Sequence, residues 1–399
     1  MISVEEAWQI IQSCKPNYGE ISVPFEDALG RVLAEDIRAD RDLPPFNRVA
    51  MDGIAIRYDD YLRGNRHYAV SQVVGAGDAP PDKLDKNTCF EIMTGASLPS
   101  CTDTVVPYEH LNVKDGTAEI LKEVTHKGQN IHFQGTDKKS GTLLIKPGIR
   151  IGPVEISVAA SVGKSGILVK KLPKVAIFSS GDELVDVDKV PLPHQIRRSN
   201  SHLIRAALKQ TGIDTAMVHL ADNKENIQEA LEIAVQENDI LILSGGVSMG
   251  KYDYLPEALE SVGVKKLFHK VKQRPGKPFW FGSFGEQGVV FALPGNPVST
   301  HFCLVRYVLP WLEETLGNQS RPPILAVLDE DFTFEPPLQL YKQVKIFQNE
   351  TAQLMARSVV NKGSGDFSSL LEADGFLELP ADQQVFKAGE KFRFWEFRH

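Results

Sequence analysis

The sequence has few cysteines and no long apolar run. Only four of its 399 residues are cysteine, and none belongs to a Cys-x-x-Cys pair. This spacing matches no zinc site and is typical of a reducing compartment. No apolar run approaches the roughly 20 residues that a membrane span needs. The first residues, MISVEEAWQIIQSCKP, carry two glutamates where a signal peptide would carry positive charge. We therefore expect a cytoplasmic protein without a membrane partner.

Basic residues are also too few for a nucleic-acid-binding surface. The chain has 44 lysines and arginines against 52 aspartates and glutamates, which gives a net charge of −8 at pH 7. Nucleic acid is not the expected partner, because its phosphates need a basic surface. A small anionic ligand is still compatible with this charge, since a pocket can oppose the net charge locally.

The composition is that of a globular protein with several domains. Hydrophobic residues make up 42% and charged residues 24%, without repeats or low-complexity segments. A chain of 399 residues predicts two to four domains. Ser3 and Glu6 predict a capping box for a first helix, and short runs broken by Gly, Pro and Asp predict β-rich modules. The predicted regions are a helical region over 1–45 completed by 141–171, an inserted β-rich module over 46–140, an α/β core over 172–317 and a C-terminal β-barrel-like module over 318–399.

The region 172–317 alternates strand and helix patterns. KVAIFSS, DTAMVHL and DILILSGG are typical of buried strands, whereas SNSHLIRAALKQTG and NKENIQEALEIAVQE are typical of helices. This alternation predicts a mostly parallel sheet with helices on both faces. Ligands of such sheets bind beyond the carboxyl ends of the strands. The loops SSGDEL, SGGVSMGKYD and LPGNPVS follow strands and are therefore the candidate site.

The loop after the third strand almost matches a P-loop, in which Gly245-x-x-x-x-Gly250-Lys251 would be followed by Ser or Thr. Tyr252 stands there instead, and its phenol cannot take the place of the hydroxyl that helps to hold Mg²⁺. Gly245 and Gly246 let the backbone approach an anion, and a following helix would offer free N–H groups. A different phosphate-binding loop is the better interpretation.

Four carboxylates, those of Asp182, Glu183, Asp222 and Asp253, follow three of the strands. Each alone could favour a helix N-terminus or cap a helix. If they converge, their repulsion favours a shared hard cation such as Mg²⁺. The alternatives stay open at this point.

A second cluster is basic and lies in KVKQRPGKPFWFG, which contains Lys270, Lys272, Arg274 and Lys277. A solvated strand edge is the ordinary interpretation of such a run. The Gly and Pro that flank Lys277 instead favour a fixed turn that holds the cation toward an anion. Asn296 in LPGNPVS could be no more than a helix cap with Pro297 at the first helical position. In the inserted module, Asp52, Thr94 and Asp137 each lie in a sequence typical of a turn or loop.

Eight motifs in order resemble those of the molybdopterin molybdenumtransferase family, which includes the E domain of gephyrin. They are PPFNRVAMDGIA, IMTGASLP, GTDKKSGTLLI, FSSGDELV, QIRRSNSHLI, LSGGVSMGKYDY, RPGKPFWFG and FALPGNPVS. The resemblance implies a homodimer of four-part subunits with a molybdopterin-binding α/β core. It implies an active site between the core of one subunit and the inserted module of the other. The implied reaction joins molybdate and adenylylated molybdopterin, with Mg²⁺ or a similar divalent cation, into molybdenum cofactor and AMP.

The resemblance also assigns roles to individual residues. Catalytic roles fall on Asp52, Thr94, Asp137, Glu183, Asp222, Asp253, Lys270 and Lys277. Metal binding falls on Glu183, Asp222 and Asp253. Substrate binding falls on Ser180, Gly181, Asp182, Ser244, Gly245, Gly246, Ser248, Gly250, Arg274, Pro294, Gly295, Asn296, Pro297 and Ser364.

Two positions depart from the family pattern. Arg274 stands where a lysine is expected, which keeps the charge but presents a planar fork. An arginine expected early in the C-terminal module is absent, and Lys342 is the nearest basic residue.

Rival functions are a molybdopterin adenylyltransferase, a nucleotide pyrophosphatase and a scaffold like the E domain of gephyrin. Contact with a molybdopterin adenylyltransferase or an apo molybdoenzyme is a further expectation.

Overall fold

The computed structural model describes residues 1–220, 223–246, 255–318 and 322–398. The chain forms two compact units. The core unit comprises Met1–Ala34, Pro147–Gly152 and Gly166–His399, and the inserted unit comprises Glu35–Lys146 and Pro153–Ser165. The finer division into four regions stays a prediction.

A six-stranded sheet lies at the centre of the core unit. Its first four strands run parallel and its last two pair antiparallel. In spatial order they are Thr215–Leu220, Val175–Ser180, Ile240–Ser244, Gly288–Leu293, Trp280–Phe284 and Lys265–His269. The predicted mostly parallel sheet is therefore confirmed.

Helices cover both faces of this sheet, as the sequence pattern predicts. On the central strand, Ile177 belongs to a hydrophobic cluster with Leu208, whereas the adjacent Phe178 belongs to another cluster with Leu231. Both faces of the sheet are therefore buried, which explains why these strands are almost continuously apolar. The helices of the first cluster are Val4–Ser13, Asn200–Gln210, Pro297–Cys303 and Leu309–Thr315, with a π-helical turn at Leu304–Val308. Those of the second are Lys224–Glu237 and Leu255–Ser261.

The C-terminal part of the core unit is a closed five-stranded β-barrel, which confirms the predicted barrel-like module. Its strands, in order around the barrel, are Gln339–Gln348, Leu354–Ser358, Ile324–Leu328, Lys391–Glu396 and Gly375–Leu379. The short strand Gln273–Arg274 pairs in parallel with Gln339–Gln348. This pairing attaches the basic segment of the α/β part to the barrel. A short helix, Ser369–Glu372, and the strand pair Phe332–Thr333 with Val385–Phe386 complete this part.

The inserted unit is built on a second six-stranded sheet. Ile54 and Ala55 belong to separate hydrophobic clusters, so this sheet also carries apolar residues on both faces. Its strands, in spatial order, are Thr104–Pro107, Gly53–Ile56, Thr88–Ile92, His67–Val74, Thr117–Ile120 and Leu111–Lys114. The smaller elements are helices Tyr58–Leu62 and Pro153–Ser161, the strand pair Ile37–Arg38 with Leu143–Ile145, and the strand pair Arg48–Val49 with Ile131–His132.

The N-terminal region matches its predicted pattern only in part. The capping box of Ser3 and Glu6 is present at the first helix. The helical character predicted for the region 1–45 is wrong over its segment FEDALGRVLAED, residues 25–36, because only a 3₁₀ turn at Phe25–Ala28 forms there. Gly30 has a φ of 75°, which ends any helix, and the chain then bridges to Arg150 and Val169. The strand Glu20–Pro24 before it pairs with Gly166–Lys170. Among the described residues, no helix is both long and apolar enough to cross a membrane.

Candidate active site

The predicted site residues fall into three groups. Asp52, Thr94 and Asp137 lie in the inserted unit, and the other described residues of the predicted site lie in the core unit. Four predicted residues, Asp222, Ser248, Gly250 and Asp253, lie outside the described residues. The predicted convergence of Asp222 and Asp253 with the other acids therefore stays a prediction.

Two loops, residues 180–183 and 244–246, follow neighbouring strands of the core sheet, and we call them the glycine edge. Ser179 is paired with Ser244, so both loops leave the sheet at the same level. Gly246 has a φ of 70°, and a Cβ atom at this position would lie 2.2 Å from Leu255 Cδ1 and 2.8 Å from Ser180 Oγ. A residue with a side chain does not fit at this position. The two loops thus approach each other with their backbones.

The acids of the glycine edge are exposed and lie in a turn. The Leu184 N–H donates to the Gly181 carbonyl at 3.1 Å, and a two-residue strand, Leu184–Val185, follows. The interpretation of Asp182 and Glu183 as residues of a helix N-terminus is therefore wrong. Among the described residues, no group of three or more His, Cys, Asp or Glu side chains could hold a metal ion. Carboxylate oxygens of this pair are nevertheless ligands of the type that Mg²⁺ prefers.

Asn200 connects the glycine edge to the loop before the last core helices. Its Nδ2 donates to Ser244 Oγ at 2.9 Å and to the Gly295 carbonyl at 2.7 Å. Sequence reasoning missed this role, because an asparagine at a helix start is ordinarily a cap. A side chain that donates to two loops fixes their spacing, so Asn200 belongs to the candidate site.

A cavity of about 490 Å³ lies beside this loop, between the α/β part and the barrel. We call it the cationic cavity. Three of its lining residues, Arg274, Lys277 and Lys342, are cationic. No aspartate or glutamate is among the described residues that line it. The other polar lining residues are Gln273, Asn296, Ser299, Tyr341, Gln343, Asn361 and Ser364, and the apolar ones include Phe332, Phe334, Leu338 and Leu340.

The turn that carries Arg274 and Lys277 is tightly constrained. Gly276 has a φ of 85°, and a Cβ atom there would lie 2.8 Å from the buried Cys303 Sγ. Glycine is therefore required, as the Pro-Gly-Lys-Pro pattern suggests. The structure brings Arg274 and Lys277 to the cavity, whereas Lys270 is not among its described lining residues.

Lys342 contributes the third cation from the barrel. Its Nζ lies 4.3 Å from the centroid of the Phe332 ring, and burial lowers the pKa of this lysine while Glu330 opposes the shift. Lys342, the basic residue nearest to the arginine that the family resemblance predicts, therefore lines the cavity. A cation held over an aromatic ring is stabilised by the ring quadrupole.

Within the core unit, a hydrogen bond between Asn296 and Ser364 joins the α/β part to the C-terminal part. The Asn296 side chain makes no capping bond to its own helix; its Nδ2 donates to Ser364 Oγ at 2.8 Å. Asn296 thus occupies the N-cap position without capping the helix through its side chain, and Pro297 occupies the start of the helix. The Val298 N–H donates to the Ser364 carbonyl at 3.1 Å, and the Pro294 carbonyl accepts a bond from Thr300.

The inserted unit carries a separate polar cluster. The Thr94 N–H donates to Asp52 Oδ1 at 2.6 Å, and this bond and one from the Thr94 side chain lower the pKa of Asp52. His132 Nε2 lies 2.8 Å from Asp137 Oδ1, and its Nδ1 lies 3.0 Å from a guanidinium nitrogen of Arg48. Asp52 and Thr94 are therefore brought together. Sequence reasoning missed Arg48 and His132. The sequence gives no signal for them except that they lie close to Asp52 and Asp137 along the chain.

The fold and these sites define a class, that of multidomain α/β proteins with a glycine edge and a cationic cavity. Comparisons with known proteins identify the family within this class. Residues 2–163 match the MoeA N-terminal region (domain I and II), residues 176–314 match a probable molybdopterin binding domain, and residues 326–397 match the MoeA C-terminal region (domain IV).

Relatives cover essentially the whole chain. A molybdopterin molybdenumtransferase of Synechocystis sp. is 39% identical over 398 residues, which are 99% of this chain and 100% of that protein. One from Staphylococcus epidermidis is 35% identical over 395 residues, covering 97% of this chain and 94% of that protein. The crystal structure of a molybdopterin biosynthesis MoeA protein from Pyrococcus horikoshii matches with a TM-score of 0.84 and 31% identity over 100% of both chains. The chain therefore belongs to the molybdopterin molybdenumtransferase family, as its motifs predicted.

Proposed function

We propose that this chain inserts molybdenum into molybdopterin, from molybdate and adenylylated molybdopterin, and releases AMP in the presence of Mg²⁺ or a similar divalent cation. The observation that carries the proposal is the position of the cationic cavity beside the glycine edge. Asn200 bonds to Ser244 of the glycine edge and to Gly295, which lines the cavity. Two anionic groups can thus bind side by side.

The cationic cavity fits molybdate, which is a tetrahedral dianion. Lysine and arginine donors bind oxyanions through short, charge-assisted hydrogen bonds. Three such side chains face a space without a described carboxylate, and the hydroxyl of Ser364 and the amide of Asn361 add neutral groups. In a protein with a net charge of −8, this local excess of positive charge favours a small anion.

The glycine edge suits the phosphate end of the adenylylated substrate. The Gly245 N–H already donates to the Leu293 carbonyl at 3.2 Å, but the absence of side chains at Gly245 and Gly246, both at positive φ, lets the backbone of this loop approach phosphate oxygens closely. Asp182 and Glu183 offer hard oxygen ligands, and we propose Asp222 and Asp253 as further ligands. A bound Mg²⁺ would neutralise phosphate charge as the bond to AMP is cleaved. The chain's own contribution is to hold the phosphate and the oxyanion in fixed positions.

The last part of the proposal concerns how Asp52, Thr94 and Asp137 of the inserted unit reach a site on a core unit. We propose a homodimer in which the inserted unit of one subunit contributes to the site on the core unit of the other, because two-fold dimers are the commonest oligomers. A mixture of inactive Asp52→Ala and Asp253→Ala chains should regain part of the activity through subunit exchange. Continued inactivity of exchanged mixtures would contradict the composite site. Cytoplasmic location and contact with an adenylyltransferase or an apo molybdoenzyme are further parts of the proposal.

One assay tests the reaction. Purified chain is supplied with adenylylated molybdopterin, molybdate and Mg²⁺, and AMP release and the activation of an apo molybdoenzyme are measured. AMP release that depends on molybdate, together with activation, is the expected result. Consumption of ATP with unmodified molybdopterin would instead indicate an adenylyltransferase, and binding without turnover would indicate a scaffold.

A further inference from the structure

A buried glutamine lies directly beneath the turn that carries two of the three cations. Gln273 has no exposed surface, and it precedes Arg274 in the strand that pairs with the barrel. Its Nε2 donates to the Gly276 carbonyl at 3.0 Å. The same carbonyl accepts the Phe279 N–H at 3.2 Å. The two bonds together close the turn from inside.

The orientation of this glutamine is fixed from the other side. The Tyr307 hydroxyl donates to Gln273 Oε1, which leaves Nε2 directed to Gly276. Tyr307 is fully buried, and burial raises the pKa of its hydroxyl well above the usual value, so this group remains a donor. Flipping the amide would place two acceptors against each other at Gly276 and lose the bond from Tyr307.

Tyr307 belongs to the π-helical turn Leu304–Val308, whose five residues are all buried. Its neighbour Arg306 donates from Nε to the Tyr341 hydroxyl at 3.3 Å, and Tyr341 lines the cavity from the barrel. One turn of helix thus contacts the polar groups behind two walls of the cavity. π-Helical turns occur frequently at functional sites.

We propose that Gln273, held by Tyr307, is a positioning residue that keeps Arg274 and Lys277 directed into the cationic cavity. Neither Gln273 nor Tyr307 needs to contact the anion. Gln273 acts through the Gly276 carbonyl, because its bond adds to the Phe279 bond and to the close packing of Gly276 in fixing the turn that carries both cations. The inference rests on the proposed function, in which the anion is molybdate.

The test uses the full-length chain and molybdate as the probe, with affinity measured by isothermal titration calorimetry. Gln273→Met keeps the volume and removes both hydrogen bonds, and Tyr307→Phe removes only the hydroxyl. We expect molybdate affinity to fall about tenfold in Gln273→Met and about threefold in Tyr307→Phe, since one buried hydrogen bond is worth roughly this much. The KM for molybdate should rise in parallel, whereas kcat at saturating molybdate should stay within about twofold.

A matched control and a second readout separate positioning from general destabilisation. Tyr68→Phe removes another buried tyrosine hydroxyl, in the inserted unit, where Tyr68 bonds to the Asn65 carbonyl. This variant should bind molybdate like the natural chain. Hydrogen exchange of the Phe279 amide should accelerate in Gln273→Met and in Tyr307→Phe but not in Tyr68→Phe. If Gln273→Met does not fold, Tyr307→Phe carries the test alone.

The outcomes distinguish this inference from the proposed function. Unchanged molybdate affinity in well-folded Gln273→Met and Tyr307→Phe would overturn the inference, as would an equal loss in Tyr68→Phe. If the natural chain fails to bind molybdate, the proposed function fails instead. In that case, the exchange of the Phe279 amide still decides whether Gln273 holds the turn.

Discussion

The glycine edge and the cationic cavity are neighbours in the core unit, but their residues differ in size and in the sign of their charge. The glycine edge has small residues that are buried or half-buried, together with the exposed carboxylates of Asp182 and Glu183. The cavity has three cations, aromatic walls and no described carboxylate. In the proposed function, the first binds a phosphate together with a metal ion, whereas the second binds a bare oxyanion. The comparison favours two anions that bind side by side without sharing ligands.

The two regions also differ in how they are assembled. The glycine edge arises at the ends of two adjacent parallel strands, so neighbouring loops supply it. The cavity needs a turn after residue 273, the helix start at Asn296 and the barrel residues Lys342 and Ser364. The positions of its charged side chains therefore depend on contacts between segments that are distant in sequence. Substitutions should separate the two regions experimentally.

The largest expected effect comes from Gly246→Ala, which breaks the glycine edge. The new Cβ would collide with Leu255 and Ser180 at a φ of 70°. Overpacking and left-handed strain together should lower the free energy of unfolding by about 2–4 kcal/mol, measured by urea denaturation. Gly263→Ala is the control, because its φ is 85° but a Cβ meets nothing within 4 Å; it should cost only about 1 kcal/mol. Equal losses would show that steric fit does not matter at Gly246.

Lys277→Ala breaks the cavity and should leave the glycine edge intact. Loss of one charge-assisted contact should weaken molybdate binding about 30-fold, while AMP affinity changes by less than about twofold. Calorimetric titration of both ligands measures this contrast. Lys272→Ala removes the same charge from an exposed position that is not among the described lining residues. A comparable loss in Lys272→Ala would mean that general charge, and not the cavity, attracts the anion.

Glu183→Gln tests the opposite half of the comparison. Removing one hard ligand should raise the Mg²⁺ concentration needed for half-maximal activity about tenfold, because metal affinity depends on the number of charged ligands. Molybdate affinity should be unchanged. Glu286→Gln alters the net charge equally at the hairpin between Trp280–Phe284 and Gly288–Leu293, and it should have no effect on Mg²⁺ dependence. Loss of molybdate binding in Glu183→Gln would show that the two regions share ligands.

The smallest expected effect is a pH dependence of the cavity. Burial lowers the pKa of Lys342, so this lysine loses its proton at a lower pH than an ordinary lysine. A protonated lysine binds the anion, and molybdate affinity should therefore fall as pH rises through that lowered pKa. Lys342→Arg keeps its charge at alkaline pH and should bind a few-fold more tightly than the natural chain there, with similar affinity at pH 7. Parallel titration curves for both chains would contradict a role for Lys342 in binding.

Much of the fold could be predicted because its signals are local. The capping box at Ser3, the apolar strands of the core and the Pro-Gly-Lys-Pro turn each depend on a few adjacent residues. The helical prediction for residues 25–36 failed for a related reason. Apolar spacing alone favoured a helix, but Gly30 and pairing with distant strands decided the backbone.

The site could be predicted only where one loop supplies it. Arg274 and Lys277 were recognisable from a single turn. Asn200 and Gln273 were not, because each acts through a hydrogen bond whose partner lies in another loop or is the backbone of the turn itself. Asn296 looked like a cap, yet its partner is Ser364, 68 residues away. The hydrogen-bond partner of such a side chain depends on which segments pack together in the tertiary structure.

The amino-acid sequence by itself determined the mostly parallel core, the conformations of its glycine turns and the types of charge available to each loop. These follow from periodicity, from the steric freedom of glycine and from side-chain chemistry, all of which are local. Only the tertiary structure decided that Lys342 and Ser364 face Arg274 and Lys277 across one cavity. Closure of the barrel and its pairing with the strand Gln273–Arg274 bring these segments together. Such pairing is selected by the packing of the whole unit and has no signature in any single segment.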